Sequence, residues 1–492
     1  MTSVSGYIRT EQEENMSTNN VTYRSAKGWQ LALAVMSQVV PTALVILMTF
    51  ASYVAVGVYG ATSILAGTII TGTRVFDAIT DPVCGFLTDR LNTKFGRVRP
   101  LLLLGWFIVA LAITLMFITC PGKGQIGVFI GIYILYIIGY TVFNTGDGMV
   151  AAVITNDPKQ RPMVGRWAAV FKSIFSGTFS MILAATLMPK HNFQYGLPLF
   201  KDLALLIIGI TGILTFLAIF AISASGNDVP ETYKGSAKES IKISEMFRMI
   251  ASSRPLQMFT IAAASDALAM QTASQSAINV MIFGICIGNY RFSGQISLYM
   301  TALTVAMLFL TAGLAKRNGT KKTLVQWTIL SLAAYAAMYI FMMTVDTLQI
   351  TKVTGLMIGF IVLRCLMNAT QMIVSSCTFP MIADITDYEL SNSGHFSPSV
   401  VAMTYSFVQK LISSLGATIV GLAVASIGYV EAMPQATDAF SRPILNIALF
   451  LWLGMPILGY LCTLAAMKFY KLDREEMERI QIKNAELKNK ND

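Results

Sequence analysis

Apolar runs long enough to cross a bilayer alternate with short polar stretches along almost the whole chain. A membrane-spanning helix needs about 20 predominantly apolar residues. By that measure twelve segments stand out: Trp29 to Val56, Ala61 to Thr88, Pro100 to Thr119, Ile126 to Ile154, Met163 to Met188, Phe200 to Ser223, Leu256 to Cys286, Gln295 to Ala315, Thr323 to Thr344, Val353 to Thr378, Pro398 to Ile427 and Arg442 to Tyr470. In lipid every backbone group has to be satisfied within its own segment, so this pattern predicts an all-α membrane protein of twelve transmembrane helices.

Polar stretches divide the chain further. Residues 1–27 read as a disordered tail, 28–223 as one six-helix bundle, 224–254 as a linker bearing Lys234, Lys238, Lys242, Arg248 and Arg254, and 255–470 as a second bundle. Residues 471–492 read as a short charged helix. The basic run Lys316 to Lys322 between segments 8 and 9 echoes the one between segments 2 and 3. That echo predicts two repeats. Pro41 in segment 1 and Pro380 after segment 10 are candidate bends.

Composition removes the soluble classes: 54% of residues are hydrophobic and 13% charged, with mean hydropathy +0.61. The net charge of +10 lies between apolar segments rather than in one patch, so it speaks for topology and against nucleic acid. Lys and Arg concentrate in the loops after segments 2, 4, 6 and 8, which predicts that both termini are cytoplasmic. No signal peptide is expected to be removed. The cysteines lack metal-ligand spacing and read as small packing residues. His191 and His395 make no metal centre alone, and no catalytic triad or phosphate loop is present. An enzyme and a resident cofactor are therefore not expected. The expected partners are a small-molecule substrate and the lipid of the cell membrane, with the chain a monomer.

One stretch, Arg74 to Pro100, puts ionisable groups inside an apolar segment. Asp77 and Asp81 are four apart and share a helix face, with Arg74 a turn before Asp77. Two buried carboxylates repel, and persist only with a proton, a cation or a basic partner between them. A structural pairing with Arg74 and a coupling-ion site both satisfy that requirement.

Asp77-x-x-x-Asp81-Pro82-x-x-Gly85-x-x-x-Asp89, running on through Arg90, Gly96, Arg97 and Arg99 to Pro100, resembles the glycoside-pentoside-hexuronide:cation symporters of the major facilitator superfamily, the melibiose carrier family. Asp384-Ile-Thr-Asp387-Tyr388-Glu389, Gln409-Lys410-Leu411 and Gly416 carry the resemblance in the second half. It implies alternating access by two six-helix halves, import driven by sodium ions or protons, a cation site at Asp77, Thr80, Asp81 and Asn144, and gating charges at Asp89, Arg90, Arg97, Arg99, Asp384 and Asp387. The acidic 10/11 loop would lock against basic loops, or is a solvated charged turn.

Departures from the family shape the substrate expectation. Asn144 stands where relatives have an aspartate, Gly148 where they have a tryptophan, and segment 1 has no aspartate. Thr80 replaces an amide, which leaves the proton equal to sodium. Basic residues remain in a pocket that has lost acids. The substrate candidates are Arg74, Asn144, Asp147, Lys172, Asp266, Arg364, Gln371, Gln409 and Lys410. Burying an unpaired arginine costs at least about 2.5 kcal/mol, so Arg364 either pairs with Asp266, snorkels to the surface, or, like Lys410, binds an anionic group. The expected cargo is a glycoside or a sugar acid such as a hexuronide. Alternatives are an amphipathic or lipid-like anion, with Gly146 and Gly148 opening the space, and a non-transporting sensor. Asn279 and Asn368 read as interhelical glue.

Overall fold

In a computed structural model, described over residues 24–491 apart from 90–92, 94, 121, 123, 158–159, 230–242 and 394–397, the chain is helical. The helices are α1 (Gly28–Gly57), α2 (Ser63–Asp89), α3 (Val98–Thr119), α4 (Ile126–Ile154), α5 (Met163–Lys190), α6 (Leu197–Ser225), α7 (Ile243–Ser252), α8 (Arg254–Ala273), α9 (Ser276–Cys286), α10 (Tyr290–Asn318), α11 (Thr320–Thr344), α12 (Thr354–Ser376), α13 (Thr378–Ser393), α14 (Pro398–Ser426), α15 (Arg442–Phe469) and α16 (Arg474–Asn491). Among the described residues nine helical stretches are long and apolar enough to cross a membrane. The helices α2, α8 and α10 have 27, 20 and 29 residues; α2 and α8 are more polar, whereas α10 carries the uncharged apolar run 298–315.

The surface of these helices fits a lipid solvent. Leu104, Phe107 and Leu111 on α3, and Ile213, Phe216 and Phe220 on α6, are more than half exposed at helical spacing. In water such stripes would be a liability; against acyl chains they are the outer wall.

Four sequence expectations change. Arg24 to Ala26 are not loose: Asn156 Oδ1 accepts from Arg24 N, and the Gln160 amide bonds Ala26 N and O at 3.2 and 3.1 Å. The 224–254 linker contains α7. Segment 7 is two helices, broken at Ser274 and Gln275. The 10/11 loop is helical: Asp384, Asp387 and Glu389 lie on α13, not on a turn. Pro380 falls in the first turn of α13, where its missing N–H removes no helical bond. Pro41 cannot donate to the Ser37 carbonyl, and a 3-10 segment, Val35–Gln38, interrupts α1 just before it.

The N-terminal helices α1–α6 meet the C-terminal helices along α2 with α14 and α5 with α10. Small residues allow the first seam. A Cβ on Gly67 would lie 2.5 Å from the Ala417 carbonyl oxygen, and one on Gly421 2.5 Å from that of Ser63. Thr71 and Thr418 hydroxyls then bond at 2.7 Å. Backbone approach of this kind replaces the hydrophobic drive that lipid does not supply.

One end of the bundle is sealed. Ser63 binds the carbonyls of Val430 (N, 2.8 Å) and Tyr429 (Oγ, 2.7 Å), and Tyr53 Oη binds the Pro434 carbonyl at 2.7 Å. Tyr195 N donates to Gln435 Oε1, and Tyr195 Oη meets Tyr290 Oη at 2.5 Å. The loops at this end precede α2, α6, α10 and α15, the same loops that are poor in Lys and Arg.

Candidate functional site

The face of α2 that carries Arg74 and Asp77 opens on a cavity of about 200 Å³, walled by Tyr133, Tyr136, Tyr140 and Asn144 of α4 and by Lys410 and Ser413 of α14. Asp77 is held at both oxygens. Thr141 Oγ1 donates to Oδ1 at 2.8 Å, and Lys410 Nζ lies 3.3 Å from Oδ2. The basic partner is thus Lys410 and not Arg74, for which no ion pair occurs among the described residues. Lys410 correspondingly faces a carboxylate here rather than serving as a free anion receptor. Thr80 Oγ1 donates to the Asp77 carbonyl at 3.1 Å. Asp81 and Asp89 lie on α2, but their side chains, and Arg90 altogether, fall outside the described residues.

A second cavity, of about 370 Å³, lies between α5 and the helices α9, α10 and α12. Its lining includes Lys172 and Arg364, amides and hydroxyls such as Asn279, Asn368 and Ser176, and the apolar Phe283, Ile296 and Met300, with no carboxylate among the described residues. Arg364 does not pair with Asp266. Its guanidinium stacks over Trp452 at 5.4 Å from the ring centroid, and Nε is buried without a hydrogen-bond partner. It is not snorkelling. Asn368 accepts from Thr304 at 3.2 Å.

Asp266 belongs to a third cavity with Gln371, Gln409 and Tyr460. Asp147 is 9% exposed and meets Ser37 Oγ of α1 at 2.6 Å. It lines none of these three cavities and ties α4 to α1. Gly146 opens no space either: a Cβ there would touch Leu101 Cβ at 2.9 Å, so the residue seats α4 on α3.

Arg99 and Asp387, two of the expected gate charges, have partners other than each other. Asp228, beyond α6, accepts from the backbone N–H groups of Arg97 (3.0 Å) and Arg99 (3.2 Å) and from Arg99 Nε at 3.1 Å. It caps the positive end of α3. Asp387 accepts from Gln481 Nε2 of α16 at 2.7 Å, and Asp384 lines one cleft with Lys321 and Lys322.

Several site residues escaped sequence reasoning. Tyr133, Tyr136 and Tyr140 repeat at three and four along the face that carries Asn144, a signal that was there to read. Asn279 and Asn368 line a cavity rather than only gluing helices. Thr141 and Trp452 carried no local signal; only tertiary packing brings them to Asp77 and Arg364.

Comparison with known proteins fits this geometry. The chain is 23% identical over 437 residues to a putative glycoside/cation symporter, YagG, of Escherichia coli, covering 88% of this chain and 89% of that one. It is 23% identical over 438 residues to the isoprimeverose transporter of Lactiplantibacillus pentosus, covering 87% and 85%. The solved structure of the nucleoside transporter NupG superposes with a TM-score of 0.57 at 14% identity, over 91% of this chain and all of that one, which speaks to fold alone. Residues 30–474 match the family described as MFS/sugar transport protein, and with that span the chain belongs to this family, as a multi-pass membrane transporter of the symporter type and not an enzyme.

Proposed function

We propose that the protein is a cation-coupled symporter that imports a sugar-like solute bearing an anionic group. The observation that carries this reading is a difference between two cavities: the first holds the Asp77 carboxylate together with Lys410 and Arg74, and the second holds Lys172 and Arg364 with no described carboxylate. A cation entering the first must compete with Lys410 for Asp77. An anion entering the second finds one cation from α5 and one from α12, so its binding draws the N- and C-terminal helices together. Twelve membrane crossings, arranged as two six-helix halves with both termini cytoplasmic, complete the proposal. The sealed end is then extracellular and the conformation inward-facing. Empty and fully loaded carriers turn over and half-loaded ones do not, because only those two are electrostatically balanced. The lipid-like anion is the alternative: Gly146 is filled by α3, whereas a Cβ on Gly148 would meet nothing within 4 Å.

Competition in proteoliposomes tests the reading. Methyl β-glucuronide should compete for uptake of labelled glucuronate, in a manner that depends on a sodium or proton gradient, and methyl β-glucoside should not. Equal competition by the neutral glycoside would remove the anionic substrate; uptake indifferent to both gradients would remove the coupling.

A further inference from the structure

The C-terminal helices hold an acid that the proposed transport cycle does not use. Asp266 sits in the interior of α8, and its Oδ1 is buried with no hydrogen-bond partner among the described residues. Tyr460 of α15 is 1% exposed, and its hydroxyl is equally without a partner. Both line one cavity of about 260 Å³, together with Gln371, Tyr405, Gln409 and Thr463.

The side chains that line the cavity with Asp266 are neutral. From α12 comes Gln371, whose amide is spent on Met270 Sδ (2.8 Å) and on the Tyr335 hydroxyl of α11 (3.3 Å). The arginine of α12 stacks on Trp452 in another cavity. From α14 come Tyr405 and Gln409, while Lys410 points to Asp77. From α15 come Tyr460 and Thr463. No basic side chain lines the cavity among the described residues. A carboxylate placed inside a membrane protein without a cationic partner must acquire one, and here the surrounding groups are neutral oxygens and amides.

We propose that Asp266 is the centre of a second site for a monovalent cation, a proton or a sodium ion, separate from Asp77 and built wholly from C-terminal helices, with the Tyr460 hydroxyl and the Gln409 amide as its neutral donors. A proton would convert the carboxylate to a carboxyl able to donate to a neighbouring oxygen. A sodium ion would take the carboxylate, hydroxyl and amide oxygens as ligands, the hard-donor set such an ion prefers. The site does not depend on what solute is carried.

Purified protein in lipid nanodiscs, without any sugar, provides the test. Radioactive sodium bound per chain is counted in choline buffer, and protons released are counted on a jump from mildly acid to mildly alkaline pH, for wild type, Asp77→Asn and Asp266→Asn. Asp266→Asn keeps the shape and should lose one equivalent in one of the two counts; the count affected identifies the ion. Tyr460→Phe should keep the equivalent but shift its midpoint several-fold. The proposal is overturned if Asp266→Asn binds sodium and releases protons as wild type does, or if Tyr460→Phe leaves the midpoint unmoved. Loss in Asp77→Asn alone would sink this second site and leave the coupling at Asp77 standing; loss in Asp266→Asn alone would do the reverse.

Discussion

Lys410 Nζ reaches Asp77 Oδ2 at 3.3 Å, joining α14 to α2 across 333 residues of sequence. In the proposed cycle an ammonium stands where the coupling cation would bind. Replacing Asp77 by Asn removes the charge that either partner answers. Concentrative uptake of the accepted solute should vanish, while counterflow, which needs no net driving ion, should partly survive. Undiminished accumulation by Asp77→Asn would exclude it from coupling.

The same pair makes a prediction of opposite sign for the lysine. Its side chain is 42% exposed, and ion pairs of that kind contribute at most about 1 kcal/mol. Lys410→Gln relieves a competitor of that strength, so cation binding should tighten by up to about fivefold. Titration of purified protein with sodium or protons reads it. Weaker binding would mean that Lys410 helps to hold the cation rather than displacing it.

Arg364 Cζ lies over the Trp452 ring at 5.4 Å from its centroid, with Nε unpartnered. A planar, stacked guanidinium is not replaced by an ammonium, so Arg364→Lys and Arg364→Gln should both weaken competition by a sugar acid. A charge-assisted hydrogen bond contributes about 1.5–3 kcal/mol, which corresponds to a loss of roughly 10- to 150-fold. Lys172→Gln should weaken it similarly. A selective loss of cation dependence instead would place these residues in coupling.

Much of the fold was legible because crossing length is a coarse and strong signal. The spans from Ile126 to Ile154 and from Thr323 to Thr344 were read nearly to the residue. Legibility failed where a helix boundary does not coincide with the limit of an apolar run. The break at Ser274 and Gln275 falls in the polar stretch Gln271 to Ser276, which lies inside a single crossing-length segment, and α13 continues as helix beyond the apolar limit because Pro380 is harmless in a first turn. At the site, Asp77, Asn144, Lys410, Lys172 and Arg364 were found as polar residues in apolar segments. Their pairing was not: nothing local distinguishes Arg74 from Lys410 as the partner of Asp77, or shows that Arg364 and Asp266 face different cavities.

Gly96 is tied to the cap on α3. Its φ is +79°, and a Cβ there would lie 2.1 Å from Asp228 Oδ1. Gly96→Ala has to enter an unfavourable backbone region, about 1–2 kcal/mol for an L residue, and also expel the carboxylate that accepts from Arg97, Arg99 and the Arg99 guanidinium. A lowered melting temperature in detergent is expected. Asp228→Ala should show a similar loss, since an N-cap carboxylate contributes about 0.5–2 kcal/mol. The double variant should cost less than the sum, as both changes break one contact. Full additivity would mean that the two act separately.

The sealed end rests on one aromatic cluster. The Tyr195 ring lies 5.7 Å from that of Phe50, 4.7 Å from Tyr53 and 6.2 Å from Tyr290, and its hydroxyl bonds that of Tyr290, which Asn279 Nδ2 also reaches at 3.3 Å. Phe50 and Tyr53 belong to α1, whereas Tyr290 opens α10, so removing the ring unlinks N-terminal from C-terminal helices at this end only. Truncating a buried aromatic to alanine costs about 3–5 kcal/mol. Because the lost contacts exist in one conformation, the change should shift population toward the opposite-facing state as well as lower stability. Ser276, 6% exposed beside the cluster, reports it. In a Ser276→Cys background, labelling by a membrane-impermeant maleimide from the outside should be slow, and Tyr195→Ala should accelerate it several-fold. Tyr195→Phe, which keeps the ring and loses only the hydroxyl, should accelerate it less. Unchanged labelling in both variants would mean that the cluster is not what holds this end shut.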